Sequence, residues 1–311
     1  MTNPLLDPNI GSQLQRLLDN LSQTIVGKQE AIQLALVALL AGGHALLEDV
    51  PGVGKTLLAK SLARSIDGQF HRIQCTPDLL PSDLTGTNIW NPQEGKFEFL
   101  AGPIFANVLL TDEINRATPR TQSALLEVME EAQVTIDGVS HAVLDPFFVI
   151  ATQNPVEYQG TFPLPEAQLD RFALALSLGY PSETEELQML ERLQSRQTFQ
   201  QLQPCITLAE VKQLQQACIQ VHVESSIQRY ILALVRATRD HEAITLGVSP
   251  RGTVTLQRTA QALALLQRRA YVLPDDVKFL APHVLCHRLI PNGGHRAQGI
   301  VEELLGAIAI P

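Results

Sequence analysis

Glu48-Asp49-Val50-Pro51-Gly52-Val53-Gly54-Lys55-Thr56 decides the fold of this 311-residue chain. It follows the apolar run Ala45, Leu46 and Leu47 and precedes a helical pattern over residues 57–66. A strand, a glycine-rich turn and a helix opening on Lys-Thr form the setting of a phosphate-binding loop. A helix N-terminus leaves backbone N–H groups unpaired and carries partial positive charge, so it attracts an anion. Gly52 and Gly54 let the backbone curl closely around a phosphate chain. In that setting Lys55 reaches the β- and γ-phosphates, and the Thr56 hydroxyl helps to hold Mg²⁺. The run departs from G-x-x-x-x-G-K-[ST] at its first position, where Asp49 replaces glycine.

A phosphate loop alone fits a kinase, a GTPase or a motor, so the residues downstream must discriminate. Residues 108–110 are an apolar strand, and Thr111-Asp112-Glu113 delivers two adjacent carboxylates at its end. In an open α/β sheet that edge is where ligands bind. Asp112 suits support of Mg²⁺ through its waters, and Glu113 suits orientation of an attacking water. A second apolar strand over 147–152 leads to Asn154, a neutral amide able to contact a γ-phosphate without adding repulsion. Arg171 precedes a last core strand over 173–178. Arg251 follows Ser249-Pro250, a helix-start signal. Taken singly, each arginine reads equally as a structural ion pair, and Asn154 as a turn former.

Strands alternating with helices, and apolar throughout, predict a parallel sheet covered on both faces. A short amphipathic helix is expected over residues 1–23, with Leu14, Leu17, Leu18 and Leu21 at helical spacing. The nucleotide-binding core then runs over 24–180. Within it, residues 78–85 break into a loop or short helix, and 86–104 read as an inserted hairpin. Phe97 and Phe99 share one face of that insertion. A second hairpin over 133–144 turns at Asp137-Gly138, the dipeptide favoured by type I′ turns. From Ser182 onward only helices are expected. Ser182 with Glu185 and Thr207 with Glu210 have capping-box spacing. Residues 181–204 are a connecting helix and linker, with 194–204 the polar link, and 205–311 an all-α lid.

Composition excludes several classes. The chain is 45% hydrophobic with a net charge of −9, which describes a soluble globular protein and opposes a surface built for nucleic acid. The four cysteines show no C-x-x-C spacing, so a zinc site is not expected and free thiols in a reducing cytosol are. The N-terminus lacks the basic and apolar regions of a signal peptide. The apolar run 31–47 is short and broken by Gln33, Gly42, Gly43 and His44, so no membrane span is expected.

L-L-E-D-V-P-G-V-G-K-T, L-L-T-D-E-I-N-R-A, A-L-L-E-V-M-E-E, A-T-Q-N-P, F-P-L-P-E-A-Q-L-D-R-F and G-V-S-P-R together resemble the MoxR family of AAA+ ATPases over residues 10–310. The resemblance implies a P-loop AAA+ core followed by an all-α lid. ATP contacts would come from Val26 and Gly27 near the adenine and from Pro51, Gly52, Val53, Gly54, Lys55, Thr56 and Leu57. Thr56 and Asp112 would serve Mg²⁺. Glu113, Asn154, Arg171 and Arg251 become the catalytic glutamate, sensor 1, arginine finger and sensor 2, with Arg251 acting either in cis or in trans. The family also implies a homo-oligomeric ring, a hexamer by expectation, working in the cytoplasm as a chaperone-like ATPase. Its partner would be a protein with a von Willebrand factor A domain, with assistance to metal or cofactor insertion. A nucleic-acid motor and a nucleotide-dependent scaffold with little turnover stand as the alternatives.

Overall fold

The computed structural model describes residues 8–154, 160–194 and 201–311. The chain begins with α1 (Pro8–Thr24), α2 (Gln29–Leu40), β1 (Ala45–Glu48), α3 (Lys55–Ser65), β2 (Phe70–Gln74) and α4 (Pro81–Thr85). A hairpin of β3 (Gly86–Asn91) and β4 (Lys96–Ala101) precedes β5 (Val108–Asp112) and α5 (Pro119–Glu131). A second hairpin, β6 (Gln133–Ile136) and β7 (Val139–Ala142), leads to β8 (Phe148–Gln153), α6 (Glu166–Leu169) and β9 (Leu174–Leu176). The remainder comprises α7 (Glu183–Gln194), α8 (Leu208–Ile219), α9 (Ser225–Asp240), β10 (Ile244–Leu246), α10 (Pro250–Leu266), α11 (Pro274–Leu285), β11 (Ile290–Pro291) and α12 (Ala297–Ala307).

The five-stranded sheet has the order β2-β5-β8-β1-β9, and each recorded pairing within it is parallel. Its strands are apolar because each residue faces one of two cores. Ala45, Leu47, Val108, Leu110, Phe148 and Ile150 point to one side, where α1, α2, α3 and the C-terminal helices pack. Leu46, Leu109, Val149 and Ala151 point to the other, against α4 and α5. This period-two division is what parallel sheets with two covered faces require.

Helix α1 is more than a lead-in. Ile10, Leu14, Leu17 and Leu21 are buried in the core shared with α3 and the lid. Burial of each such leucine stabilises by about 1.5–3 kcal/mol. On its other contacts Asn20 donates to Ser65 Oγ at 3.0 Å and to the Gln203 carbonyl at 2.9 Å, bracketing α3 and the approach to α8.

Two expectations change. Residues after Ser182 are not helices alone, since β10 and β11 pair antiparallel. That ribbon is too short for a periodic signal, and Pro291 sits in it. The linker expected over 194–204 lies largely outside the described residues. The rest follows local chemistry. Thr118, Thr207 and Ser249 cap α5, α8 and α10 by accepting backbone N–H bonds from Thr121, Glu210 and Gly252. Residues 78–85 resolve into a turn and α4, and Asp137 and Gly138 take the positive φ of 49° and 81° that a tight hairpin demands.

Candidate functional site

The loop from Asp49 to Gly54 joins β1 to α3 at the C-terminal edge of the sheet. Gly52 and Gly54 adopt φ of 90° and 103°, which glycine tolerates, and an added Cβ on either would enter open space. The backbone before the N-terminus of α3 is thus free of side chains at Gly52 and Gly54, which lets a phosphate chain approach it closely. Lys55 folds over it, donating from Nζ to the Asp49 carbonyl at 2.8 Å. Burial draws the Lys55 ammonium below the ordinary lysine range, against the opposing pull of Asp49, Asp112 and Glu113. A poorly solvated lysine beside carboxylates is a ready partner for a polyanion. Thr56 and Leu57 follow in the first turn of α3.

Asp49 has a role that its departure from the motif only flagged. Its carboxylate accepts from Ser177 Oγ at 2.7 Å, Leu178 N at 2.5 Å and Gly179 N at 3.1 Å. The loop is thus pinned to the chain leaving β9. Pro51 and Val53 sit within that pinned loop. The Val26–Gly27 segment is held to the same region. Lys28 donates to the Tyr180 carbonyl at 2.8 Å and lies 3.7 Å from Glu185, whose side chain would overlap any Cβ placed on Gly27.

Asp112 ends β5, one strand beyond β8, and Glu113 follows it. Asp112 accepts from Arg72 Nε at 2.6 Å and from the Thr152 hydroxyl at 3.3 Å. Glu113 takes a left-handed φ of 56°, and its N–H donates to the Thr152 oxygen at 3.0 Å. Its carboxylate pairs with Arg116 Nε at 2.9 Å and accepts from Gln74 at 3.1 Å. Both carboxylates are therefore held by neighbouring side chains at a sheet edge that can receive Mg²⁺ and water. Asn154 follows β8, whose Gln153 is level with Glu48 and donates to its carboxylate at 2.5 Å. Lys55, Thr56, Asp112, Glu113 and Asn154 are brought to one edge, and their donor set fits Mg²⁺ with a nucleotide triphosphate.

The two arginines lie elsewhere. β9 runs parallel to β1 with Leu174 opposite Ala45, so Arg171 stands before the N-terminal end of the sheet. Three residues of β1 separate that end from Glu48, about 10 Å of strand, and the loop lies beyond. Arg171 Nη1 donates to the Leu126 carbonyl at 2.5 Å. Arg251, from the first turn of α10, lines the same cleft as Arg171, Gly42, Gly43 and His44. Sequence reasoning missed the groups that serve these residues. Arg72 and Gln74 carry no motif, while Thr152 and Glu130 are visible only as parts of A-T-Q-N-P and A-L-L-E-V-M-E-E.

All four cysteines are free thiols. Burial pushes Cys75, Cys218 and Cys286 up to about 12, so they are poor nucleophiles. Among the described residues no cluster of His, Cys, Asp and Glu forms a metal site, and no helix is long and apolar enough to cross a membrane.

Comparison with known proteins agrees with this geometry. The ATPase family associated with various cellular activities (AAA) matches residues 44–174, and the AAA lid domain matches 236–304. A phosphate loop, paired carboxylates and a third strand between them, followed by that lid, define an AAA+ ATPase. Chaperone MoxR1 of Mycobacterium tuberculosis is 40% identical over 96% of this chain and 82% of its own length. The uncharacterized protein YeaC of Bacillus subtilis is 50% identical over 96% and 95%. A solved structure from Cytophaga hutchinsonii, of a protein assigned as an ATPase, superposes with a TM-score of 0.91 at 39% identity, covering 99% and 97% of the two chains. The chain belongs to the MoxR family of AAA+ ATPases.

Proposed function

We propose that this ATPase is Mg²⁺-dependent and works in the cytoplasm as a head-to-tail hexameric ring that remodels a protein partner. The observation that carries the reading is the division of the site between opposite edges of the sheet. Lys55 and the paired carboxylates occupy one edge, while Arg171 and Arg251 occupy the other. An arginine pair so far from its own phosphate loop supports delivery to a neighbour's, which makes trans the reading for Arg251. A heterologous contact supplies every subunit this way and forms a ring where its rotation closes.

In this reading the backbone of residues 52–56 and Lys55 hold the phosphates, while Val26 and Gly27 flank the base. Thr56 and Asp112 hold Mg²⁺, which supplies charge neutralisation at the phosphates. Glu113 orients the attacking water and Asn154 contacts the γ-phosphate. Arg171 and Arg251 of the adjoining subunit oppose the charge that develops on it, an effect of roughly 10³–10⁵ in rate for an arginine finger. Glu113 begins paired with Gln74 and Arg116, so its release accompanies the active arrangement.

The partner would meet the β3–β4 hairpin. Trp90 and Phe97 pair edge-to-face with centroids 5.2 Å apart, yet remain 54% and 68% exposed. The family resemblance supports a von Willebrand factor A domain protein as that partner, matured with a metal or cofactor.

Glu113→Gln is expected to bind ATP and hydrolyse almost none, while Lys55→Ala loses binding itself. Specific activity should rise with protein concentration, and mixing Arg171→Ala with Lys55→Ala subunits should recover hydrolysis. A dilute monomer with full turnover would refute the ring. For the partner, Glu113→Gln locked in ATP is used for affinity capture beside the same protein carrying Trp90→Ala/Phe97→Ala. Recovery of a von Willebrand A protein by the first alone supports the reading, and capture of nucleic acid alone sinks it.

A further inference from the structure

The two arginines share a carboxylate. Arg171 Nη2 lies 3.2 Å from Glu130 Oε2, and Arg251 Nη2 donates to Glu130 Oε1, so each oxygen serves one guanidinium. Glu130 stands in the last turn of α5, whose Leu126 carbonyl also receives Arg171. The residues flanking the arginines are linked as well, through their side chains. Ser249, two residues before Arg251, donates to Asp170, the residue before Arg171, at 2.7 Å. The other Asp170 oxygen accepts from the buried Arg288 at 2.7 Å. A core segment and a lid segment are thereby joined through the Asp170 side chain beside Arg171, and Glu130 joins the arginine tips.

Two guanidiniums brought this close repel unless an anion sits between them, and Glu130 is that anion. As a stabilising contact it counts for little, because all three side chains are partly exposed and such pairs contribute weakly. Its geometric effect is larger. It fixes the spacing and direction of two charges that a phosphate must meet together.

We propose that Glu130 is the positioning residue of the arginine pair, presenting Arg171 and Arg251 as one unit to the γ-phosphate on the adjoining subunit. The proposal rests on the ring reading above. Removing the charge with Glu130→Gln lets the guanidiniums part while leaving the phosphate loop of the same subunit intact. A displacement of about 1 Å at a transition-state contact can lower turnover about 10²-fold.

The experiment measures steady-state hydrolysis, melting temperature and size-exclusion profile for Glu130→Gln, alone and in mixed rings. The expected result is a kcat lowered about 10²-fold with KM for ATP, melting temperature and ring size unchanged. Mixing with Lys55→Ala should restore hydrolysis, because those subunits lend an intact arginine pair to an intact loop. Mixing with Arg171→Ala should restore none, since both partners fail on the same side. Loss of the ring, wild-type kcat, or failure of Lys55→Ala to rescue overturns the role of Glu130. The Lys55→Ala and Arg171→Ala mixture is the separate control. If it recovers hydrolysis while Glu130→Gln behaves as wild type, the ring stands and only Glu130 falls. If the control itself fails, the trans reading is wrong and Glu130 falls with it.

Discussion

Asp49 takes three hydrogen bonds from the chain leaving β9, two of them from backbone N–H groups. Asp49→Gly would restore the motif's glycine and strand those donors. A buried donor left unpaired costs about 1–3 kcal/mol, so the urea midpoint should drop even as the loop comes to look more conventional. An unchanged midpoint would mean that water replaces the carboxylate. The departure at position 49 was legible in the sequence, but its purpose was not, because Ser177 lies 128 residues away. His44 is a second silent residue. Buried, it accepts from Val149 N–H at 3.0 Å through Nδ1 and contacts the Met129 carbonyl at 3.0 Å through Nε2. Burial lowers its pKa from 6.5 to about 4, partly opposed by the Met129 bond. The unfolded state therefore binds the proton first. The contribution, about 3 kcal/mol, is complete above pH 6.5 and is lost as pH falls through about 4. Buried His287 shifts in the same direction. Denaturation at stepped pH should trace that loss in the wild type, with a shallower slope in His44→Asn.

Among the elements, β2 governs the carboxylates of β5. Arg72 and Gln74 alternate along one face of the strand, the first gripping Asp112 and the second Glu113. Gln74→Ala removes one restraint on Glu113. A hydrogen bond of net 0.5–1.5 kcal/mol translates to a rise of about 2- to 10-fold in basal hydrolysis. A fall instead would mean that Gln74 orients the glutamate productively. Such pairs escape a sequence reading because they depend on which strands are neighbours. β2 and β5 are in register, Gln74 opposite Asp112, with an insertion between them in the chain. The inserted hairpins themselves were legible, as were the starts of α8 and α10, whose caps are local. The contact between the hairpins was not. Asn88 donates to Asp137 at 2.7 Å, and the Phe99 ring stacks on His141 with centroids 4.0 Å apart. The ribbon β10–β11 left no signal. Helix α12 was anticipated only as part of an all-α lid, and it buries Ile300, Val301 and Leu304.

For the whole molecule, the core and lid share one continuous set of buried side chains, from Ile10 in α1 to Leu304 in α12. Calorimetry should record a single transition, with no earlier melting of the lid. Arg288 is the polar lock within that seam, donating to Asp170 and to the carbonyls of Phe172, Ala173 and Val284. Asp170→Ala leaves this buried cation without its carboxylate, and breaking such a pair costs about 3–5 kcal/mol. The melting temperature should fall accordingly. Sequence periodicity announces two domains and cannot announce their fusion, because periodicity records which face of a helix is apolar and not what covers it. The placement of Arg171 before β9 carries a last, arithmetical consequence. If each site is completed by the next subunit, an open arc of n subunits holds n − 1 finished sites, with one bare loop at one end and one idle arginine pair at the other. Closure adds the missing site and abolishes both ends at once, so the first subunit contributes no site, each later one contributes one, and the last to join contributes two.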